Sequence, residues 1–173
     1  TVPSIPFTHI PQSPSINAMI KVVLEIDEIE GKTLDDLAKV SALSEKTVRN
    51  IIHDLEQFGI VIQEDNKYLV DTHISEISAK TILTRIKVKF KRHGLAELLK
   101  KNNTIKPATI DQIIQYLKEL NPTAQYHTRT WETYAKRMIQ WMETLRLVSR
   151  HASECTFNDL GDISLDESKK WTG

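Results

Sequence analysis

The sequence is poor in the residues that mark several protein classes. It has 5 glycines, 6 prolines and one cysteine, Cys155, among 173 residues. These numbers exclude collagen-like and low-complexity chains and an internal disulfide framework, and they favour a reducing compartment. No apolar run approaches the roughly 18 residues of a membrane span, and no signal segment opens the chain. We therefore expect a cytoplasmic protein without a membrane partner and, because residue 1 is Thr1, a piece of a longer or processed protein.

Signatures of catalysis and of metal binding are missing as well. The sequence contains no Gly-rich phosphate loop, no nucleophile elbow and no pair of metal-binding histidines on a helix. His151 and Cys155 are four residues apart and His127 lies upstream, but scattered ligands of this kind do not make a zinc site. The sequence predicts no enzyme, no catalytic residue, no metal and no cofactor in this chain.

The net charge of zero hides an uneven distribution of charge. Residues 1–79 carry a net charge of −7, residues 80–106 carry +8 and residues 107–173 carry −1. The basic segment is centred on TRIKVKFKRHG, and its five cations are Arg85, Lys87, Lys89, Lys91 and Arg92. Such a run attracts phosphates without reading a base sequence. The alternative is a solvated face that offsets the acidic first part of the chain.

Apolar spacing and turn residues predict the order of elements in the first part of the chain. Residues 1–14 hold four of the six prolines and predict an extended arm, which either lies across a domain through Ile5, Phe7 and Ile10 or has no fixed position. Residues 15–73 then form the first predicted unit. Its elements are a helix over 15–30, a short helix opened by Thr33, a longer helix capped by Ser44, and a hairpin of 60–63 with 67–70.

The second part of the chain predicts a similar order. We expect a basic linker region over 74–106, with a helix over 74–92 because strands rarely run that long, and a short helix after Gly94. A second unit over 107–158 follows. It has a helix with Pro107 in its first turn, a long helix over 130–145, and hairpin strands at 147–149 and 156–157. Residues 159–173 are predicted to be an irregular polar tail.

The string TLDDLAKVSALSEKTVRNIIHDLEQFGIVIQEDNKYLV resembles the winged helix-turn-helix superfamily, and the likeness covers residues 15–71. Residues 107–158 resemble a second, less regular winged helix. The resemblance implies a mainly α fold with small β-hairpin wings, arranged as a tandem winged helix-turn-helix. It also implies recognition helices at 44–58 and 130–145. More loosely, the chain resembles the DNA-recognition domains of prokaryotic restriction and phage-defence proteins.

A recognition helix enters the major groove, so its outward side chains are the predicted DNA contacts. In the first unit Arg49 and Asn50 have the bidentate geometry for guanine and adenine, and Ser44 and Lys46 are placed to hold a phosphate. The alternative for these four is an ordinary solvated face, which their acidic surroundings favour. The contacts predicted for the second unit are His127, Arg129, Thr130, Thr133, Lys136, Arg137 and Arg150. Trp131 on the same helix either stacks on a base or fills the core.

Two functions remain open at this point. The first is a module that binds double-stranded DNA and forms the recognition or regulatory part of a larger protein, in restriction-modification or in transcription regulation. The second is a winged-helix scaffold for protein interaction or dimerisation without DNA contact, whose partner is a second copy or another domain of the parent protein. An RNA-binding role ranks last, because nothing resembles the aromatic motifs of single-strand RNA readers.

Overall fold

The computed structural model describes residues 7–26, 30–71, 73–74 and 76–163. Ile5 of the predicted arm, the end of the predicted first helix at 27–29 and residues 164–173 of the predicted tail lie outside them. The described residues form seven helices and two antiparallel hairpins, which confirms a mainly α fold with small hairpins. Among these residues we find no helix with the length and apolar character that a bilayer span requires.

The chain divides into two compact units. Of the described residues, those within 11–86 together with Ile163 form the N-terminal unit, and residues 7–10 with 87–162 form the C-terminal unit. The division falls between Ile86 and Lys87, inside a helix, whereas the sequence suggested a separate linker region over 74–106. Residues 87–106, most of that basic region, therefore belong to the C-terminal unit.

Three helices and a hairpin make up most of the N-terminal unit. Its elements are α1 Ile16–Leu24, α2 Leu34–Ser41, α3 Glu45–Gln57, β1 Val61–Glu64 and β2 Lys67–Val70. The side-chain oxygens of Ser15, Thr33 and Ser44 each accept a hydrogen bond from a backbone N–H three residues on, which fixes where the helices begin. The core contains Met19, Ile20, Leu37, Val48, Ile51, Leu55 and Phe58.

Four helices and a second hairpin follow. They are α4 Ala79–Lys91, α5 Gly94–Asn102, α6 Ile110–Leu120, α7 Thr128–Thr144, β3 Val148–His151 and β4 Glu154–Phe157. The first of them, α4, carries the division between the two units. The large fully buried side chains of the C-terminal unit include Phe90 and Trp141, whose rings stack with centroids 5.9 Å apart.

Several predicted boundaries differ from the structure for identifiable reasons. α4 starts at Ala79 rather than at residue 74, because the Ser78 hydroxyl accepts a hydrogen bond from the Thr81 N–H. Pro107 lies outside α6, since Thr109 and Gln112 form a capping box that starts the helix at Ile110. α1 ends at Leu24, earlier than predicted, and α7 begins at Thr128, two residues before its predicted start.

Both hairpins close more tightly than the sequence suggested. The turn of the first is the pair Asp65-Asn66, and the turn of the second is Ala152-Ser153. Asp65 and Ala152 adopt φ values of 57° and 56°, the left-handed conformation that two-residue hairpin turns need. The strands of the second hairpin are consequently four residues long, longer than the two or three predicted.

The two units repeat one pattern of backbone hydrogen bonds. In each, a helix ends in a residue with positive φ, the chain enters a hairpin, and the residue after the hairpin donates back to its start. The donors of these bonds are Gly59, Ile60 and Asp71 in the N-terminal unit and Arg146, Leu147 and Asn158 in the C-terminal unit. In each unit a single β-bridge also joins the second strand of the hairpin to the residue just before the N-cap of an earlier helix. Tyr68 of β2 pairs with Lys32, before α2, and Cys155 of β4 pairs with Ala108, before α6. Each equivalent donor lies 87 positions after its counterpart, so α7 and β3–β4 correspond to α3 and β1–β2.

Candidate nucleic-acid interface

The long helix α7 of the C-terminal unit has one buried and one exposed face. Its buried side chains are Trp131, Ala135, Met138, Ile139, Trp141 and Met142. Arg129, Thr133, Lys136 and Gln140 are exposed and recur every three or four residues, so they form one stripe along the helix. Glu132 is exposed beside this stripe. Glu143 is exposed as well and continues the stripe three residues after Gln140. The face therefore presents two cations, a hydroxyl, an amide and two carboxylates.

The cations of this stripe are not neutralised by contacts within the unit. Among the described residues, no carboxylate forms an ion pair with Arg129, Lys136 or Arg150. Arg150 is exposed on β3, and its Nε donates a hydrogen bond of 2.9 Å to the carbonyl of Ala152 in the hairpin turn. This bond ties the side chain to the turn and leaves its terminal N–H groups for other acceptors.

A groove brings two of the sequence-predicted residues together. It has a volume of about 620 Å³ and lies between the start of α6, the middle of α7 and the second hairpin. Its lining residues are Ile110, Lys136, Ile139, Gln140, Arg150, Ala152 and Ser153. Lys136 and Arg150 thus belong to a single concave surface, although one lies on α7 and the other on β3.

The other residues predicted on α7 differ in what they offer. His127 is the exposed N-cap residue, yet its side chain makes no capping hydrogen bond. Thr130 and Arg137 are half-buried, and the Arg137 guanidinium lies 5.6 Å from the centroid of the Tyr134 ring. Trp131 is 3% exposed, which resolves the choice between stacking and core in favour of the core.

The basic run of α4 is less available than its sequence suggests. Lys87 is 5% exposed, and its ammonium donates to the carbonyl of Gly161 and lies 3.1 Å from the Asp159 carboxylate. Lys91 pairs with the same carboxylate at 3.0 Å. Burial raises the pKa of Asp159, but the hydrogen bonds from Lys91 and Lys87 outweigh it and lower the pKa to about 2. The expectation that Lys87 faces phosphate is therefore replaced by a structural role in anchoring residues 159–161.

The remaining three cations of the run have separate surroundings. Lys89 is half-buried, and its ammonium lies 5.9 Å from the centroid of the Phe7 ring. Arg85 lies on the part of α4 that belongs to the N-terminal unit, 3.9 Å from the Asp71 carboxylate. Arg92 is exposed just after the end of α4. The five cations therefore do not form one uniform phosphate-binding strip.

In the N-terminal unit the predicted contacts lie at the start of α3. Lys46 and Arg49 are exposed and Asn50 is half-buried. The Ser44 hydroxyl caps the helix and also donates to the Thr47 hydroxyl, so its proton is already used within the turn. Residues 11–86 contain 8 Lys and Arg against 13 Asp and Glu, a net charge of −5, whereas residues 87–162 contain 13 against 8, a net charge of +5.

Two buried polar residues that the sequence did not single out hold the described part of the arm. Asp54, on α3, is fully buried and accepts hydrogen bonds from Gln12 and Ser13 in the N-terminal unit. His93, in the C-terminal unit, caps α5 by accepting from the Leu95 N–H through Nδ1, so its Nε2 carries the proton and donates to the His9 carbonyl at 2.9 Å. Burial lowers the pKa of His93 to about 4. Both roles depend on residues more than 40 positions away, and no local signal announces them.

The described residues contain no cluster of three or more His, Cys, Asp and Glu arranged to hold a metal ion. Burial raises the pKa of the Cys155 thiol to about 11, which disfavours the thiolate that binds metals. Comparisons with protein-family models, curated protein sequences and solved structures find no match for this chain. The candidate interface is thus defined on this chain alone, and we name it the α7–hairpin surface. Its members are His127, Arg129, Thr133, Lys136 and Arg150.

Proposed function

We propose that this chain is a double-stranded DNA-binding module, with α7 in the major groove and the hairpin β3–β4 beside the phosphate backbone. The observation that carries the proposal is the exposed stripe of Arg129, Thr133 and Lys136 beside Arg150, whose cations have no ion-pair partner among the described residues. A helix fits the major groove of B-DNA, and unpaired surface cations supply the electrostatic part of DNA affinity.

We further propose that each unit is a winged helix-turn-helix. The repeated order of capped helices followed by a hairpin supports this reading, as does the hydrogen-bond pattern that recurs after 87 residues. In this reading α3 and α7 are the recognition helices and the two hairpins are the wings. The module would serve a larger cytoplasmic protein in restriction, phage defence or transcription regulation.

The residues of the α7–hairpin surface have different roles in this proposal. Residues near the N-terminus of a recognition helix contact base edges, which places Arg129 over the bases. Its guanidinium offers bidentate hydrogen bonds to guanine. Lys136 and Arg150, further along the groove wall, are placed for phosphates, where each charge adds affinity without reading the sequence.

A second function fits the N-terminal unit better than DNA contact does. Its net charge of −5 repels a phosphate backbone, even though Lys46 and Arg49 are exposed on α3. We propose that this unit contacts protein, either a second copy of the chain or another domain of the parent protein. The main alternative for the whole chain is that both units contact protein and neither contacts DNA.

The decisive experiment is a titration of the chain into labelled duplex DNA, followed by fluorescence anisotropy at about 50 and about 200 mM salt. The test variant is Arg129→Ala/Lys136→Ala/Arg150→Ala. The matched control is Lys100→Ala/Lys101→Ala/Lys106→Ala, because these three cations are exposed in the same unit and outside the surface. We expect the affinity of the wild type to fall steeply with salt. In the test variant the slope of log K against log salt should become shallower by about 2, about one for each phosphate contact of Lys136 and Arg150, and the loss of Arg129 should lower the affinity further.

The control variant has the same change in net charge, so it should retain most of the slope. Equal losses in both triple variants would show that overall charge, not the α7–hairpin surface, produces the binding. Absence of binding at the lower salt concentration would refute the DNA proposal and leave the protein-interaction scaffold.

A further inference from the structure

We propose that the groove between α6, α7 and the hairpin β3–β4 binds a small amphipathic anion, a molecule with one carboxylate, sulfonate or phosphate group on an apolar body. We infer further that this ligand competes with DNA. The second step rests on the proposed function, because it requires that the α7–hairpin surface contacts DNA. The first step is independent of DNA.

The dimensions of the groove suit a small molecule. Its volume of about 620 Å³ lies within the range of roughly 300–1,000 Å³ that is usual for ligand sites. The groove has three walls that belong to one compact unit: the first turn of α6, the exposed edge of α7 and the turn of the second hairpin. Since Arg150 is tied to the turn through its Nε, one of the charged groups is held in place before a ligand arrives.

The lining of the groove has an apolar part and a cationic part. Ile110 is half-buried and Ala152 is exposed, so these two residues offer most of the aliphatic surface of the groove, while Ile139 is 4% exposed and adds only an edge. Lys136 and Arg150 are the charged lining residues, and no Asp or Glu lines the groove. The remaining lining residues, Gln140 and Ser153, supply an amide and a hydroxyl. One anionic group between the two cations, with an apolar body against Ile110 and Ala152, satisfies both parts at once.

The apolar part is the reason to favour a small molecule over a phosphate of the DNA backbone. A phosphodiester strand satisfies Lys136 and Arg150 but brings only the small C–H edge of a deoxyribose to Ile110, much less apolar area than an aromatic or aliphatic body. An aromatic or aliphatic acid gains from both, because burial of apolar area adds to the charge-assisted hydrogen bonds. The groove therefore has a recognition element that DNA contact does not require.

Occupation of the groove would remove two cations from the α7–hairpin surface. The ligand neutralises Lys136 and Arg150 and covers the concave side of α7, so DNA and ligand exclude each other. By linkage, each weakens the binding of the other by the same factor. The chain would then release DNA when the concentration of the anion rises.

The test uses two fluorescent probes that differ in a single group, 8-anilinonaphthalene-1-sulfonate and the uncharged N-phenyl-1-naphthylamine. We expect the sulfonate to bind at one site and the neutral probe to bind at least about tenfold more weakly, which is the effect of losing one charge-assisted contact. Lys136→Ala/Arg150→Ala should lower the affinity for the sulfonate probe by about tenfold or more. The matched control Lys100→Ala/Lys101→Ala, which removes two exposed cations outside the groove, should not weaken it.

A third variant distinguishes the effect of the groove's shape from the effect of its two cations. Ser153→Trp places an indole in the exposed hairpin turn and fills the groove while Lys136 and Arg150 stay. We expect it to lose sulfonate binding. Binding that survives this change, equal binding of the two probes, or equal losses in the two double variants would each overturn the groove as an anion site.

The final measurement adds labelled duplex DNA to the chain and titrates the sulfonate probe against it. Release of the duplex from the wild type, but not from Ser153→Trp, supports competition. Simultaneous binding of probe and duplex would overturn competition. Should the wild type bind no duplex at all, the DNA proposal and the competition inferred from it are refuted together, and the direct probe titration still decides the anion site.

Discussion

Replacement of Asp54 by alanine should release Gln12 and Ser13 of the arm from the N-terminal unit. The Asp54 carboxylate is fully buried on α3. It accepts hydrogen bonds from the Gln12 N–H at 3.0 Å, from the Ser13 N–H at 2.6 Å and from the Ser13 hydroxyl at 2.5 Å. Ser13 is itself fully buried, so both of its donors depend on this single carboxylate for satisfaction.

The expected cost follows from how many donors lose their acceptor. A buried polar group without a hydrogen bond costs about 1–3 kcal/mol. Water can replace the lost acceptor at Gln12 but not at Ser13. Gln12 is partly exposed and can bond to water, while the two donors of Ser13 cannot. We therefore expect Asp54→Ala to lower the free energy of unfolding by about 3 kcal/mol. Ser13→Ala removes one donor together with its need for an acceptor, and should cost only about 1 kcal/mol.

Two measurements check this prediction. Urea unfolding gives the change in free energy, and Glu56→Ala is the matched control because Glu56 is an exposed acid on the same helix. Hydrogen exchange of the Gln12 and Ser13 amides reports on the arm itself. Protection of both amides should be lost in Asp54→Ala and kept in Glu56→Ala. If the two variants lose equal stability, or if the amides stay protected without Asp54, the carboxylate does not hold the arm.

Two further predictions concern His93 and Gly31. Because burial lowers the pKa of His93 from 6.5 to about 4, the unfolded chain alone binds a proton in that window, and the free energy of unfolding falls by about 1.4 kcal/mol per pH unit as pH drops through it. His93→Asn should abolish this slope in urea unfolding at several pH values. Gly31 has φ +73°, and a Cβ there would lie 2.8 Å from the Tyr68 carbonyl oxygen. Gly31→Ala should therefore cost about 2 kcal/mol or more by urea unfolding. It should cost more than Gly161→Ala, because Gly161 also has a positive φ, +92°, but nothing lies within 4 Å of a Cβ there.

The sequence predicted the elements well wherever the information is local. Thr33 and Ser44 were expected to start helices, and their hydroxyls do so by accepting a backbone N–H three residues on. The two hairpins were also expected, because β-favouring residues flank short polar turns. What failed locally was the exact residue of each boundary. The capping box at Thr109 outweighs the preference of Pro107 for a first turn, and both signals are present in the same stretch of chain.

The site was less predictable because exposure depends on residues far away in the chain. Lys87 reads as part of a basic strip, yet it is buried because Asp159 and the Gly161 carbonyl, more than 70 positions later, satisfy its ammonium. Asp54 reads as part of an acidic surface, yet it faces inward to Ser13. The groove is similar, since Lys136 and Arg150 meet only after α7 and the hairpin have packed. A charge pattern gives the sum of charges, and packing decides which of them reach solvent.

The repeat after 87 residues allows the charged residues of the two units to be compared position by position. Arg49 of α3 corresponds to Lys136 of α7, and both are exposed cations. On the hairpins, however, Gln63 corresponds to Arg150, and α7 begins about one turn earlier, which adds Arg129 to its stripe. One architecture therefore carries two surfaces of different charge. Because the helices and hairpins of the two units have the same order, the difference in charge between their surfaces comes from the side chains they carry and not from the order of the elements.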